Sequence, residues 1–168
     1  MHSSDELEQA DELGQALMQL AERCLQKNIV VSVAESCTGG LIAAAITDVV
    51  GSSTWFDAGF VTYSEDAKQQ MLNVKAATLA QFGVVSEPVV KEMAIGAVNN
   101  SLAHYAVSTS GVAGPGGGSQ TTPVGTVCFG LSNGTKHCSS TRHFTGDRSK
   151  VRHQATLFAL KQLHEFIL

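Results

Sequence analysis

No stretch of this chain approaches the ~20 consecutive apolar residues needed to span a bilayer. The start, Met1-His2-Ser3-Ser4-Asp5-Glu6, is polar and acidic where an export signal is basic and then apolar. No membrane partner is expected, and the cytoplasm is the expected compartment. There is no C-x-x-C pair: Cys24, Cys37, Cys128 and Cys138 are too scattered for that motif and too few for a secreted disulfide framework. They read as reduced thiols. Basic runs with interleaved aromatics are also missing, and 11 basic against 15 acidic residues leave a formal net charge of -4. A nucleic-acid partner would lack its electrostatic attraction. None of His2, His104, His137, His143, His153 and His164 forms a helical i, i+4 pair around a glutamate, so spacing predicts no metal site.

What remains is the composition of a folded globular chain, 43% hydrophobic and 15% charged, which argues against disorder and against a coiled coil. At 168 residues it fits one domain, 1–168, with residues 1–6 expected to be a flexible N-terminus. Apolar positions from Leu7 to Leu25 recur every three or four residues and predict an amphipathic helix. Ile29 to Ala34 is a short β-branched run, followed by the turn Glu35-Ser36-Cys37-Thr38-Gly39-Gly40 and a second apolar run, Leu41 to Ile46: strand, turn, helix. Trp55 to Tyr63 reads as a strand, and Ser64-Glu65-Asp66 starts a helix with a capping hydroxyl and two acids. Ser86-Glu87-Pro88 starts another. Tyr105 to Ser110 and Thr126 to Leu131 are predicted strands around a glycine-rich stretch, Gly111 to Gly118. Ser132-Asn133-Gly134 is hairpin-turn chemistry before His137 to Phe144, and a last helix follows Gly146-Asp147-Arg148. Strands alternating with helices predict a single layered α/β domain, and the late hairpin makes its central sheet mixed.

Chemistry concentrates at a few of these junctions. Ser36 sits between a strand and a helix start, where helix amides favour negative charge and Gly39 and Gly40 let a backbone or substrate come close. From spacing alone, capping of the helix by Ser36 or Thr38 is the commoner use of such a hydroxyl. A nucleophilic serine needs a base. Lys68 qualifies if apolar walls lower its pKa from near 10 toward roughly 7 to 8, against the default of a solvated lysine. Tyr63, five positions earlier, is either half-buried packing or a further member of that network. The stretch Ser110-Gly111-Val112-Ala113-Gly114-Pro115-Gly116-Gly117-Gly118 exposes backbone amides suited to a phosphate or a carboxamide oxygen, or is an ordinary wide turn. It lacks the Gly-Lys-Ser/Thr end of a P-loop. Arg148, and one turn later Arg152, are candidates for bidentate pairing with a phosphate or plain surface arginines.

Read as motifs, the blocks Ala34-Glu35-Ser36-Cys37-Thr38-Gly39-Gly40, Gly51-Ser52-Ser53, Val61-Thr62-Tyr63-Ser64 with Lys68, Val85-Ser86, Met93-Ala94, Gly111-Val112-Ala113-Gly114-Pro115-Gly116-Gly117, Pro123-Val124-Gly125-Thr126 and Phe144-Thr145-Gly146-Asp147-Arg148 closely resemble the CinA C-terminal-domain family. The match runs in order from about residue 7 to the C-terminus. Departures are Ser64-Glu65-Asp66, where relatives often show an asparagine, and Gly116-Gly117-Gly118, where the close enzymes carry an aspartate. The resemblance implies hydrolysis of the carboxamide of nicotinamide mononucleotide to nicotinic acid mononucleotide and ammonia. It implies Ser36 as nucleophile, Lys68 as its base and Tyr63 as a supporting catalytic group, with no cofactor and no metal. The expected substrate contacts are Thr38, Gly39, Gly40, Ser110, Gly111, Gly114, Gly116, Gly117 and Arg148. A homodimer is expected from the resemblance and from the commonness of twofold assemblies. The alternative from another class is a catalytically silent nucleotide-binding, competence-associated module.

Overall fold

The computed structural model describes residues 4–167, with side chains from residue 11 onward. The expected flexible start at residues 1–6 lies outside the described side chains, and residues 1–3 lie outside the described residues altogether. Helix α1 (Ser4–Lys27) leads into β1 (Val31–Glu35), α2 (Leu41–Thr47), a 3-10 turn at Ser52–Thr54 and β2 (Phe56–Val61). Three helices follow, α3 (Glu65–Leu72), α4 (Ala76–Phe82) and α5 (Glu87–Asn99), then β3 (Tyr105–Gly111). The chain closes with β4 (Thr126–Ser132), β5 (His137–His143) and α6 (Arg148–Phe166).

The strands form one sheet in the order β2-β1-β3-β4-β5. β1 runs parallel to β2 and β3, and β3, β4 and β5 pair antiparallel, so the sheet is mixed as the late hairpin predicts. The Asn133 side chain builds the hairpin turn by accepting the amides of Thr135 and Lys136.

Alternation along the strands feeds two cores. Val31, Val33, Val107, Val127, Phe129 and Leu131 face α1, α2 and α6, where Leu20, Ile42, Leu160 and Leu163 are fully buried. Each of those side chains contributes about 1.5 to 3 kcal/mol by leaving water. Ala34, Ala106 and Cys128 face the other way, onto Leu72, Leu79, Val89, Val90 and Met93. The result is a helix–sheet–helix sandwich.

Two details differ from the sequence expectation. Helix α4 carries no start signal of its own; the Glu92 carboxylate of α5 instead accepts the Lys75 amide at 2.8 Å and the Thr78 hydroxyl at 2.8 Å. A cap lent by a neighbouring helix leaves no local mark. Ser86 precedes α5 as expected, but its hydroxyl donates back to the Gly83 carbonyl rather than accepting from the helix.

The topology places the site. From β1 the chain crosses to β2 on one side and later returns to β3 on the other, so the direction of winding reverses beside β1. Because β1, β2 and β3 are parallel, their carboxyl ends share one edge, and the reversal of order is the position at which open α/β sheets generally take their ligands. Residues 36–40, 62–64 and 112–125 leave the sheet there.

Candidate active site

β1 is buried along its whole length and delivers Ser36 to that edge, one residue past the strand. The sheet continues briefly beyond the assigned strands: the Ser36 amide donates to Thr109 O at 3.0 Å and the Thr62 amide to Glu35 O at 2.8 Å. Gly39 (φ 59°) and Gly40 (φ 96°) then take left-handed conformations that turn the chain into α2.

The candidate base, Lys68, comes from the opposite wall. Ser64 caps α3 by accepting the Ala67 amide at 3.0 Å, which aims Lys68, one turn in, back across the edge of the sheet. Lys68 is 1% exposed. Its Nζ lies 3.0 Å from Ser36 Oγ, 2.8 Å from Thr62 O and 3.5 Å from Tyr63 O. Burial lowers its pKa, and the neighbouring Glu65 carboxylate offsets part of that shift. As a neutral amine, Lys68 has two N–H groups for the two carbonyls and one lone pair for the Ser36 hydroxyl. That is the arrangement a general base requires. The adjacent Cys37 is no competitor: burial pushes its thiol up to about 12, so it stays protonated.

Facing this pair, Arg148 opens α6 and bridges two other walls. Its Nη1 donates to Gly114 O at 2.8 Å and its Nη2 to the Tyr63 hydroxyl at 3.2 Å. Tyr63 (63% exposed) and Arg148 thus form an exposed rim above the buried dyad, joined to the glycine-rich loop. Gly114 is required there, since a Cβ at that position would run into Val124.

The comparisons with known proteins follow the same outline. A family model described as the CinA C-terminal domain matches residues 14–167. The chain belongs to the CinA C-terminal-domain family. The resemblance read from the motifs therefore holds. A relative named nicotinamide-nucleotide amidohydrolase PncC from Escherichia coli (strain K12) is 54% identical over 157 residues, covering 90% of this chain and 95% of that one. Its namesake from Pseudomonas putida is 49% identical over 144 residues, 86% and 90% of the two chains. Among solved structures, a CinA-superfamily protein from Klebsiella pneumoniae superposes with a TM-score of 0.89 at 37% identity, over 92% of this chain and 97% of that one.

Within this CinA fold the sequence-predicted residues part into three groups. Ser36 and Lys68 meet directly. Tyr63, Gly114 and Arg148 meet one another, but the Tyr63 hydroxyl reaches Arg148 and not the dyad; only its carbonyl faces Lys68. Gly116 and Gly117 lie exposed on the same loop, and Gly40 is the N-cap of α2. The third group is turned inward. The Ser110 hydroxyl donates to Val84 O at 2.7 Å, and the Thr38 hydroxyl pairs with Thr109 at 2.9 Å. Gly111 packs so tightly on Thr126 and Val127 that it leaves no room for a Cβ.

Neither Ser36 nor Thr38 caps α2, which corrects the capping reading. Glu35 does so: its buried carboxylate accepts the amides of Gly40, Ile42 and Ala43 at 3.0, 3.1 and 2.9 Å. The helix amides expected to hold a substrate's negative charge are therefore occupied. Arg152, a candidate second phosphate ligand or else a surface arginine, is neither here: it donates to Cys37 O at 3.1 Å and Thr38 O at 2.9 Å. In sequence a glutamate at a strand end resembles a surface residue, and the one local signal for its capping role is the helix that begins a short turn later, at Leu41. Among the described residues, no three of histidine, cysteine, aspartate and glutamate converge as a metal would require. No helix among them is long and apolar enough to cross a membrane.

Proposed function

We propose that this chain is a nicotinamide-nucleotide amidohydrolase, converting nicotinamide mononucleotide and water to nicotinic acid mononucleotide and ammonia. The observation that carries the reading is the buried Lys68 Nζ at 3.0 Å from Ser36 Oγ, in a chain 54% identical to a relative bearing that name. Neutral Lys68 takes the Ser36 proton as Oγ attacks the carboxamide carbon. The carbonyl π pair moves to oxygen, and backbone amides stabilise the resulting oxyanion. When the C–N bond breaks, the Lys68 proton goes to the leaving nitrogen and ammonia departs. Water then attacks the acyl-serine, Lys68 takes its proton, and collapse returns that proton to Ser36 Oγ and frees the acid. The scheme uses neither metal nor cofactor. Arg148 and the exposed part of the glycine-rich loop receive the nucleotide at the rim, with Tyr63 holding Arg148 in place.

On this reading the protein acts in pyridine nucleotide recycling, in the cytoplasm and as a homodimer. The test is ammonia release from nicotinamide mononucleotide by the parent and by Ser36→Ala of equal melting temperature. Release by the parent alone is expected. Release from neither, together with stabilisation of the parent by the nucleotide, would replace the proposal with a silent nucleotide-binding module.

A further inference from the structure

Every amide from Ser36 to Ala43 except two is committed to an oxygen acceptor among the described residues. Ser36 donates to Thr109 O, Gly39 to Ser36 O and Leu41 to Thr38 O, while Gly40, Ile42 and Ala43 donate to Glu35. The remaining two, Cys37 and Thr38, lie against the Cys37 sulfur, a weak acceptor when protonated. Because Glu35 closes the N-terminus of α2, those two amides are the donors in this turn that remain for an oxyanion forming beside Ser36.

The carbonyls of the same two residues are held from outside the turn. Arg152 sits on α6 between Val151 and Ala155, both fully buried. It reaches across 114 and 115 positions of sequence to place Nη2 on Thr38 O and Nε on Cys37 O. Gly39 makes room for it, since a Cβ there would stand 3.2 Å from Nη2. A peptide unit is planar and trans, so fixing the Cys37 carbonyl fixes the opposite direction of the Thr38 N–H. A cation on the carbonyl also polarises the unit and makes that N–H a stronger donor.

We infer that Arg152 is a positioning residue for the reaction: by gripping the Cys37 and Thr38 carbonyls it orients and strengthens the Thr38 amide as the oxyanion donor and holds the Ser36 turn in its reactive shape. The inference rests on the amidohydrolase reading with Ser36 as nucleophile.

The test uses Arg152→Met, which keeps an apolar stem without the guanidinium, and Arg152→Lys, whose single ammonium cannot reproduce the planar two-point grip. Loss of one oxyanion donor typically lowers kcat by about 100-fold to 1,000-fold. Arg152→Met is expected to lose kcat on that scale with KM within about threefold of the parent and with the Lys68-dependent limb of the pH profile in place. Arg152→Lys is expected to recover part of the rate. Phosphonylation of Ser36 by a fluorophosphonate, which needs no nucleotide substrate, is expected to slow in parallel. If Arg152→Met does not fold, the kcat and phosphonylation rate of Arg152→Lys decide. Parental kcat and phosphonylation rates in the variant that folds would overturn the inference, as would a raised KM with unchanged kcat, which would make Arg152 a substrate anchor. A parent that releases no ammonia but is phosphonylated at Ser36 would overturn the substrate reading while leaving the phosphonylation comparison to decide on Arg152.

Discussion

Gly96 on α5 lies directly beneath the Leu72 carbonyl at the end of α3, so close that a Cβ on Gly96 would overlap that oxygen. Helix α3 is thus seated by an absent side chain, and Lys68 stands one turn before the seat. Gly96→Ala is expected to destabilise the fold by about 1 to 3 kcal/mol, as overpacking does. It is also expected to reduce kcat by shifting Lys68 away from Ser36. Thermal melts and steady-state kinetics check both effects; a lowered Tm with parental kcat would show that α3 re-seats without disturbing the dyad.

Removing the proposed base should separate chemistry from folding. Lys68→Met is expected to lower kcat by about 100-fold or more. In the parent, kcat/KM should rise with pH as Lys68 loses its proton, on a limb lying below the ordinary 10.5 because burial lowers its pKa.

Stability follows from the same shift. Between the lowered folded pKa and 10.5 the unfolded chain holds a proton on Lys68 that the folded protein has released, so the parent gains stability as pH rises through that window. Below the window both states are protonated, and the folded state bears the full cost of a buried ammonium. Denaturant titrations at several pH values should show the stability of the parent relative to Lys68→Met increasing with pH; a decreasing difference would contradict the burial of a neutral amine.

The four thiols should react unequally. Cys24, Cys37 and Cys128 are buried and Cys138 is exposed. Burial pushes the thiols of Cys24 and Cys37 up to about 12. A maleimide at neutral pH is expected to give one adduct by intact mass, at Cys138, with ammonia release unchanged. Rapid loss of activity on labelling would point to a cysteine in the chemistry.

The Tyr63–Arg148 bond predicts a split between binding and turnover. With its hydroxyl on Arg148 and its carbonyl near Lys68, Tyr63→Phe is expected to raise KM for the nucleotide several-fold, in line with the ~1 kcal/mol of one hydrogen bond. Its kcat should change little. A large fall in kcat with unchanged KM would instead place the hydroxyl among the reacting groups.

The sequence by itself determined the order of the strands and of every helix except α4 and the short 3-10 turn before β2. Periodic apolar faces, the Ser64 cap and the Asn133-Gly134 turn act over a few residues, so their physics is written locally. The motif blocks likewise carried the family, and with it the pairing of Ser36 and Lys68 that spacing alone left open against a simple helix cap. Only the tertiary structure decided which charges look inward. Glu35 caps α2, Arg152 grips the Ser36 turn from 114 positions away, and the Ser110 hydroxyl points to α5's side of the sheet. A charged or hydroxyl side chain looks the same in sequence whether it meets water or a distant backbone group. The difference lies in the desolvation that its partners offset, and those partners meet it only once the sheet has brought the carboxyl ends of β1, β2 and β3 to one edge.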